Sequence, residues 1–232
     1  MIKLAGISKR LNGRQVLDGV DLVVSDGETL VILGPSGIGK TVLLRIMAGL
    51  LPSDAGSVTY DGVLIRYGAF SRNAPVLAQL GYVFQNGALF DSLSVFDNVA
   101  LPLRETRSGG ERQVQQRVRQ VLARVGMAEH ERLMPSELSG GMARLVALAR
   151  ALAVDPRWIF YDEPTNGLDP LMRARILELI AGLRETEGRT NVIVTHDLDA
   201  ARQVAGRCLM LRDGRLARLD DVRKEQYEPE CA

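Results

Sequence analysis

A glycine-rich segment near the start of the chain constrains the fold more than any other feature. It reads Gly34-Pro35-Ser36-Gly37-Ile38-Gly39-Lys40-Thr41. It follows the apolar run 29–33 and precedes a stretch with apolar residues at helical spacing, and a strand, a glycine-rich turn and a helix in this order form a phosphate-binding loop. The glycines let backbone N–H groups converge on an anion, and the helix N-terminus adds positive potential. The segment therefore predicts an α/β fold that binds phosphate groups.

Strand and helix patterns alternate along the rest of the chain. Apolar runs typical of strands buried on both faces of a parallel sheet occur at residues 29–33, 82–84, 158–161 and 192–194. Apolar residues at helical spacing occur at residues 42–50, 145–152 and 176–183. Because strands and helices alternate, and the phosphate-binding loop 34–41 lies between a strand and a helix, we predict a P-loop NTPase core of the α/β class with a mainly parallel sheet.

The length of 232 residues favours one domain. A chain of this mass buries about 72% of its unfolded surface, which is enough for one sizeable core. We predict a single domain over residues 1–232, with a mainly helical insertion over about 86–137 and a flexible tail at 225–232. Within the insertion, residues 114–125 predict an amphipathic helix whose arginines form a solvated basic face, in preference to an anion or lipid site.

Composition excludes several classes of function. The 29 Lys and Arg residues balance 28 Asp and Glu residues, which argues against nucleic-acid binding by a large basic surface. Residues 1–12 resemble no export signal and the uncharged stretch 73–90 is too polar to span a bilayer, so we expect a cytosolic chain whose membrane association is peripheral. Cys208 and Cys231 lack metal-ligand spacing, so we expect two reduced thiols.

Carboxylates follow one of the predicted buried strands. Asp162 and Glu163 come directly after the run 158–161, and the carboxyl ends of parallel strands are where α/β sheets place their chemistry. Asp162 and the Thr41 hydroxyl are suited to hold Mg²⁺, and Lys40 to reach the β and γ phosphates of a nucleotide. Glu163 is suited to accept a proton from the attacking water.

A second glycine-rich segment predicts another anion site. It reads Leu138-Ser139-Gly140-Gly141-Met142 and precedes a helical pattern that runs to about Ala153. Ser139 is a suitable N-cap, and the two glycines leave the backbone accessible to a phosphate. One γ-phosphate does not need two such sites from one chain. We therefore predict that this segment faces the nucleotide of another copy, in a symmetric homodimer with two shared sites.

Taken together, these motifs resemble the nucleotide-binding subunits of ABC transporters over about residues 4–219. The matching features, in order and spacing, are the loop 34–41, Gln85, the signature segment 138–142, Asp162-Glu163, Gly167-Leu168-Asp169 and His196. The resemblance implies that ATP and Mg²⁺ are the cofactors. It also implies that Gln85 senses the metal and the water, that Asp169 lies at the dimer seam and that His196 contacts the γ-phosphate. The family usually has Gln where this chain has Met142, and we expect phosphate contact to be retained.

Three shorter segments are most similar to the Mla or Mce-associated lipid-trafficking ATPases of bacterial envelopes. They are residues 84–90, 95–99 and 134–137. This similarity implies a motor on the cytoplasmic face of the inner membrane that moves phospholipid, with permease subunits, an MCE-domain lipid-binding protein and a STAS-domain protein as partners. The alternatives are an importer or lipoprotein-release ATPase, a non-transport ABC ATPase, and a scaffold that binds nucleotide without turnover.

An apolar cluster follows the family glutamine. It consists of Ala88, Leu89, Phe90, Leu93 and Phe96. Two interpretations fit this pattern. The cluster is either plain core or a groove that receives a helix of a partner protein.

The residue at the adenine-stacking position generates a prediction about base selectivity. Family members commonly stack adenine on an aromatic residue near the N-terminus, and alignment places Leu11 there. A leucine provides apolar contact without ring stacking, so it discriminates weakly between purines. We expect ATP and GTP to be hydrolysed with similar efficiency. Side-by-side steady-state kinetics check this, and a large preference for ATP would contradict it.

Overall fold

The computed structural model describes residues 1–106 and 110–218. In chain order the strands are β1 (Ile2–Leu11), β2 (Arg14–Val24), β3 (Thr29–Leu33), β4 (Ala55–Tyr60), β5 (Val63–Ile65), β6 (Leu80–Val83), β7 (Trp158–Asp162), β8 (Thr190–Thr195), β9 (Arg207–Arg212) and β10 (Arg215–Arg218). The helices are α1 (Lys40–Met47), α2 (Phe70–Leu77), α3 (Val95–Glu105), α4 (Glu111–Arg124), α5 (Gly140–Ala153), α6 (Pro170–Glu187) and α7 (Leu198–Val204). The predicted tail at 225–232 lies outside the described residues.

The strands form two sheets. The larger has the order β10-β9-β3-β8-β7-β6 and is parallel apart from the β9–β10 pair. The smaller has the order β2-β1-β4-β5 and is antiparallel throughout. The predicted α/β class with a mainly parallel sheet is confirmed, whereas the antiparallel sheet has no counterpart in the sequence analysis.

The central strands are buried on both faces, as their apolar runs predict. Every residue of β3, β7 and β8 is buried. Side chains alternate along β3, so Val31 and Leu33 join one core cluster while Leu30 and Ile32 join another. The run predicted at 82–84 corresponds to β6, which begins and ends slightly earlier.

The helix after the glycine-rich loop is shorter than its apolar pattern suggests. Gly49 adopts a left-handed φ of 72° just after α1, a conformation that commonly ends a helix. Leu50, which the pattern placed on the helix, therefore lies beyond it and is 47% exposed. The predicted helices at 145–152 and 176–183 lie within α5 and α6.

Regular secondary structure described between residues 86 and 137 is helical. It comprises α3, α4 and short 3₁₀ turns at 128–130 and 135–137. As predicted, α4 buries one apolar stripe. Arg112, Arg119 and Arg124 are exposed, in keeping with the predicted solvated basic face. Two arginines also make contacts within the chain: Arg117 donates to the carbonyls of Leu152 and Ala153, and Arg124 forms an ion pair with Glu187.

None of the helices within residues 1–106 and 110–218 is both long enough and apolar enough to cross a bilayer.

Candidate active site

The register of the parallel sheet brings the predicted chemical groups to one edge. Leu33 at the end of β3 pairs with Thr195 at the end of β8, and Val194 pairs with Asp162 at the end of β7. The loop 34–41 leaves the end of β3, and His196 directly follows β8. Parallel pairing alone therefore places a phosphate-binding loop beside two carboxylates and an imidazole.

The glycine-rich loop is backed by the β1–β2 hairpin. Gly39 precedes α1 with a φ of 117°, and a Cβ atom there would lie only 2.5 Å from the Cγ1 atom of Val16. A side chain at this position would force the hairpin and the loop apart, so glycine is required for their contact. At the turn of the same hairpin, Leu11 is 38% exposed.

Lys40 lies almost completely buried under the loop. Its Nζ atom donates to the carbonyl oxygens of Gly34 and Pro35 at 2.7 and 3.0 Å. The same atom lies 3.2 Å from Oε1 of Glu163. Two carbonyls and a carboxylate thus surround the ammonium, which is how a buried cation is accommodated.

Asp162 and Thr41 provide oxygen ligands suited to a magnesium ion. The Thr41 hydroxyl donates to Oδ1 of Asp162 at 2.7 Å, which joins the first turn of α1 to the end of β7. Burial raises the pKa of the Asp162 carboxyl, and the hydrogen bond from Thr41 only partly opposes this effect. A hydroxyl and a carboxylate side by side fit Mg²⁺, because this ion binds few protein oxygens and retains several waters.

Glu163 is held in a strained and specific orientation. Its backbone has a φ of 48°, which is unusual for a residue other than glycine, and its N–H donates to the Val194 carbonyl at 2.9 Å. Its Oε2 atom lies 3.0 Å from Nδ1 of His196 and accepts the His196 backbone N–H at 3.3 Å. Strain of this kind is concentrated at functional sites. The buried Glu163 carboxylate therefore connects Lys40 to the half-exposed His196 imidazole.

A small cavity of about 180 Å³ lies beside this carboxylate. It is bounded by Glu163, His196 and the turn 165–168. The next residue, Asp169, is exposed and caps α6 by accepting the N–H groups of Leu171 and Met172 at 3.1 and 3.0 Å. Asp169, which is predicted to lie at the dimer seam, therefore joins the cavity wall at residues 165–168 to the start of α6.

The signature segment begins α5 as predicted. Ser139 is the N-cap, and its hydroxyl accepts the Met142 N–H at 3.2 Å. Gly141 is buried, and a Cβ atom there would lie 2.6 Å from Cγ of Met172 in the first turn of α6. The N-termini of α5 and α6, which carry Ser139 and Asp169, are therefore in direct contact.

Gln85 is exposed in the turn that follows β6. Since β6 is the parallel neighbour of β7, Gln85 leaves the sheet at the same edge as Asp162. Two arginines of α5 hold the backbone around it, and sequence reasoning missed both. Arg144 donates to the Phe84 carbonyl at 3.3 Å, and Arg150 donates to the Gly87 and Ala88 carbonyls, each at 2.7 Å. Cationic residues within a largely apolar helix are the signal that could have revealed these contacts.

Comparison with known proteins defines the class. A family model described as ABC transporter matches residues 17–166. The chain belongs to this family and is one of its ATP-hydrolysing subunits.

The chain is similar in sequence and in structure to several known proteins. The chain is 40% identical over 213 residues to the intermembrane phospholipid transport system ATP-binding protein MlaF of Haemophilus influenzae, covering 92% of this chain and 81% of that protein. It is 39% identical over 217 residues to the glutamine transport ATP-binding protein GlnQ of Escherichia coli, covering 94% and 90%. The ATP-binding cassette MJ0796, solved as a dimer in a post-hydrolysis state with ADP and Pi, superimposes with a TM-score of 0.86 at 32% identity, covering 94% and 97%.

The raised pKa of Asp162 predicts that this carboxylate destabilises the nucleotide-free protein. A raised pKa means that the folded state favours the neutral carboxyl. The stability that Asp162 contributes is therefore largest below the ordinary pKa of 3.8 and is lost as pH rises through the raised pKa. At neutral pH the ionised group therefore opposes folding. We expect Asp162→Asn to raise the Tm of the protein without Mg²⁺ or nucleotide, by about 2 °C at pH 7.

Asp97 offers a matched control with the opposite sign. Hydrogen bonds from Ser94 and Arg104 lower the pKa of the Asp97 carboxyl. Its stabilising effect is therefore present above pH 3.8 and is lost as pH falls through the lowered pKa. Asp97→Asn should lower the Tm at pH 7 in the same calorimetric scan. A lower Tm for both variants would refute the assignment of a destabilising charge to Asp162.

Proposed function

We propose that the chain is the ATP-hydrolysing motor of a bacterial complex that moves phospholipid between the inner and outer membranes. Family membership establishes the motor, while the cargo is inferred. The observation that carries this inference is the 40% identity to MlaF over most of both chains, together with the resemblance of residues 84–90, 95–99 and 134–137 to lipid-trafficking ATPases. An amino-acid importer is the second candidate, because GlnQ is nearly as similar.

The geometry at the sheet edge supports a division of labour in hydrolysis. Lys40, which lies between the loop carbonyls and Glu163, binds the β and γ phosphates of ATP. Thr41 and Asp162 hold Mg²⁺, which when bound neutralises charge on the phosphates. The backbone N–H groups of residues 34–41 complete the phosphate site.

Glu163 is the general base in this proposal. It stands at the end of a rigid buried strand, and His196 and Lys40 contact its two oxygens. A base must be oriented before it can take a proton from water, and these contacts supply the orientation. His196 also contacts the γ-phosphate, and Gln85 reports occupancy of the metal site to the helical segment.

We further propose that two copies form a homodimer around two nucleotides. Ser139 and Asp169 cap adjacent helices whose N-termini are in contact, so both present backbone N–H groups and exposed side chains from one face. In a symmetric dimer this face lies against the nucleotide of the other copy. ATP favours the closed dimer, and hydrolysis releases it. The solved relative MJ0796 is itself dimeric.

An open apolar groove supports docking of a permease. Its volume is about 690 Å³, and its walls include Leu77, Tyr82, Leu89, Phe90 and Leu101. Of the apolar cluster after Gln85, Ala88 and Phe90 are exposed, Leu93 is half-buried, and Leu89 and Phe96 are half-buried against the core. The cluster therefore contributes to both the core and the groove. We propose that a permease helix occupies this groove and holds the chain at the cytoplasmic face of the inner membrane, with MCE-domain and STAS-domain proteins as further partners.

Substitution of the proposed base tests the hydrolytic mechanism. We expect Glu163→Gln to bind ATP and to form dimers, but to hydrolyse at below about 1% of the parent rate, because general-base catalysis contributes about 10²- to 10⁴-fold. Nucleotide binding, dimerisation and phosphate release are measured on one preparation. Glu178→Gln, an exposed change on α6, is the control and should retain full turnover. Near-normal turnover of Glu163→Gln would refute its role as base.

Recovery of the native complex tests the proposed cargo. The tagged chain is purified from membranes, and the co-purifying proteins and lipids are identified by mass spectrometry. We expect a permease with bound phospholipid. Phe90→Ser, which alters the groove, should lose the permease, while Leu64→Ser, at an exposed apolar residue on β5, should retain it. Recovery of a sugar or amino-acid permease would overturn the lipid assignment.

A further inference from the structure

The loop that carries Gln85 is bound directly to the signature helix. Gly87 lies against α5 so closely that a Cβ atom there would be 3.4 Å from the Ala143 carbonyl oxygen and 3.6 Å from Cβ of Ala147. Arg144 and Arg150 extend from the same helix to the loop carbonyls. The helix that begins at Ser139 therefore supports the backbone around Gln85.

Arg150 holds the most strained part of this loop. Gly87 and Ala88 both have positive φ angles, of 73° and 46°, and such a conformation is costly for alanine. The two terminal nitrogens of Arg150 donate to these two consecutive carbonyls, each at 2.7 Å. A planar guanidinium is suited to this forked contact, whereas a lysine ammonium has no such fixed geometry. The paired hydrogen bonds from Arg150 therefore fix the directions of both carbonyl groups where the backbone is strained.

The far end of the loop is fixed by a different residue. Asn98 of α3 is fully buried, accepts the Phe90 N–H at 2.8 Å and donates to the carbonyls of Phe90 and Leu93 at 3.1 and 2.9 Å. The Arg150 guanidinium also lies 6.0 Å from the Phe90 ring. The loop is thus held between α5 and α3, and Arg150 anchors its strained part.

We propose that Arg150 is a positioning residue for hydrolysis, which joins the Gln85 loop to the signature helix so that both move together. It acts through Gln85 and does not touch the nucleotide. This proposal rests on the proposed role of Gln85. It adds a specific mechanical link within one chain: displacement of Ser139 at the start of α5 is transmitted to Gln85 and to the edge of the apolar groove.

Arg117 provides a matched control. It is also half-buried and also donates to two consecutive backbone carbonyls, those of Leu152 and Ala153 at the C-terminal end of α5, at 2.8 and 2.9 Å. Replacing either arginine removes two hydrogen bonds that involve α5, because Arg150 donates from this helix and Arg117 of α4 donates to it. Of these two arginines, Arg150 contacts the Gln85 loop and Arg117 does not, so a difference between the variants separates positioning of Gln85 from general stabilisation.

Amide hydrogen exchange on the full nucleotide-free chain tests the contact itself. We expect Arg150→Met to accelerate exchange of the amides of residues 85–90 by about tenfold or more, because the loop opens more often. Arg150→Lys, which can hold one carbonyl, should lie between Arg150→Met and the parent. Arg117→Met should leave these amides unchanged and accelerate exchange near residues 152–155. Unchanged exchange at 85–90 in both Arg150 variants overturns the proposal.

A double-mutant cycle tests whether Arg150 acts through Gln85. We expect Arg150→Met to reduce kcat by about tenfold with an unchanged Kd for ATP, and to cause no further loss in the Gln85→Ala background. Arg117→Met should leave kcat unchanged. If the fold-losses in kcat of Arg150→Met and Gln85→Ala multiply in the double variant, the two residues act independently and the proposal is refuted. If Gln85→Ala alone leaves hydrolysis intact, the proposed role of Gln85 fails, and the exchange result then decides whether Arg150 holds the loop. If Arg150→Met does not fold, Arg150→Lys takes its place in both measurements.

Discussion

Parallel pairing of β3, β8 and β7 is the constraint on which the rest of the molecule depends. The three strands run in the same direction, so their C-terminal ends lie at one edge of the sheet. The loop after β3, the carboxylates at the end of β7 and the imidazole after β8 therefore meet there. A register shift of one residue would exchange the faces of a strand and separate these groups. Complete burial of all three strands prevents such a shift, since alternate side chains are committed to two different cores.

Burial of the reacting charges follows from this arrangement and has an energetic cost. Lys40, Asp162 and Glu163 are each at most 6% exposed. The Lys40 and Glu163 charges compensate each other, while Asp162 accepts hydrogen bonds from the hydroxyls of Thr41 and Tyr82 and is also attracted to Arg45. If one partner is removed from such a buried group, the charge of the other is left uncompensated. Under the proposed function, the same burial favours binding of polyanionic phosphate and a divalent cation at the expense of the stability of the chain alone.

The part of the fold that could be predicted is the part that is encoded locally. The loop 34–41 has a motif, β3 and β8 have uninterrupted apolar runs, and Ser139 has the residue type of an N-cap. The antiparallel sheet could not be predicted in the same way, because β1 and β2 mix exposed and buried residues with several register shifts, and β4 pairs with β1 across some 50 residues.

The same distinction applies to the site. Lys40, Thr41, Asp162 and Glu163 could be predicted because each belongs to a short motif. The contacts of Arg150 could not, because they join residues 62 and 63 positions apart and depend on how α5 lies across the turn after β6. The partners of Ser139 and Asp169 across a dimer seam are equally non-local, since they are proposed to belong to a second copy.

The core of the helical segment has a consequence for how members of this family diverge. Val95 and Leu122 of the segment lie in one hydrophobic cluster with Val31 and Ile193 of the central sheet. A segment without a hydrophobic interior of its own cannot be exchanged between relatives as a module, because each graft must also match the sheet residues beneath it. A substitution inside the helical segment therefore also changes the packing of the sheet that carries Asp162 and Glu163 at its edge.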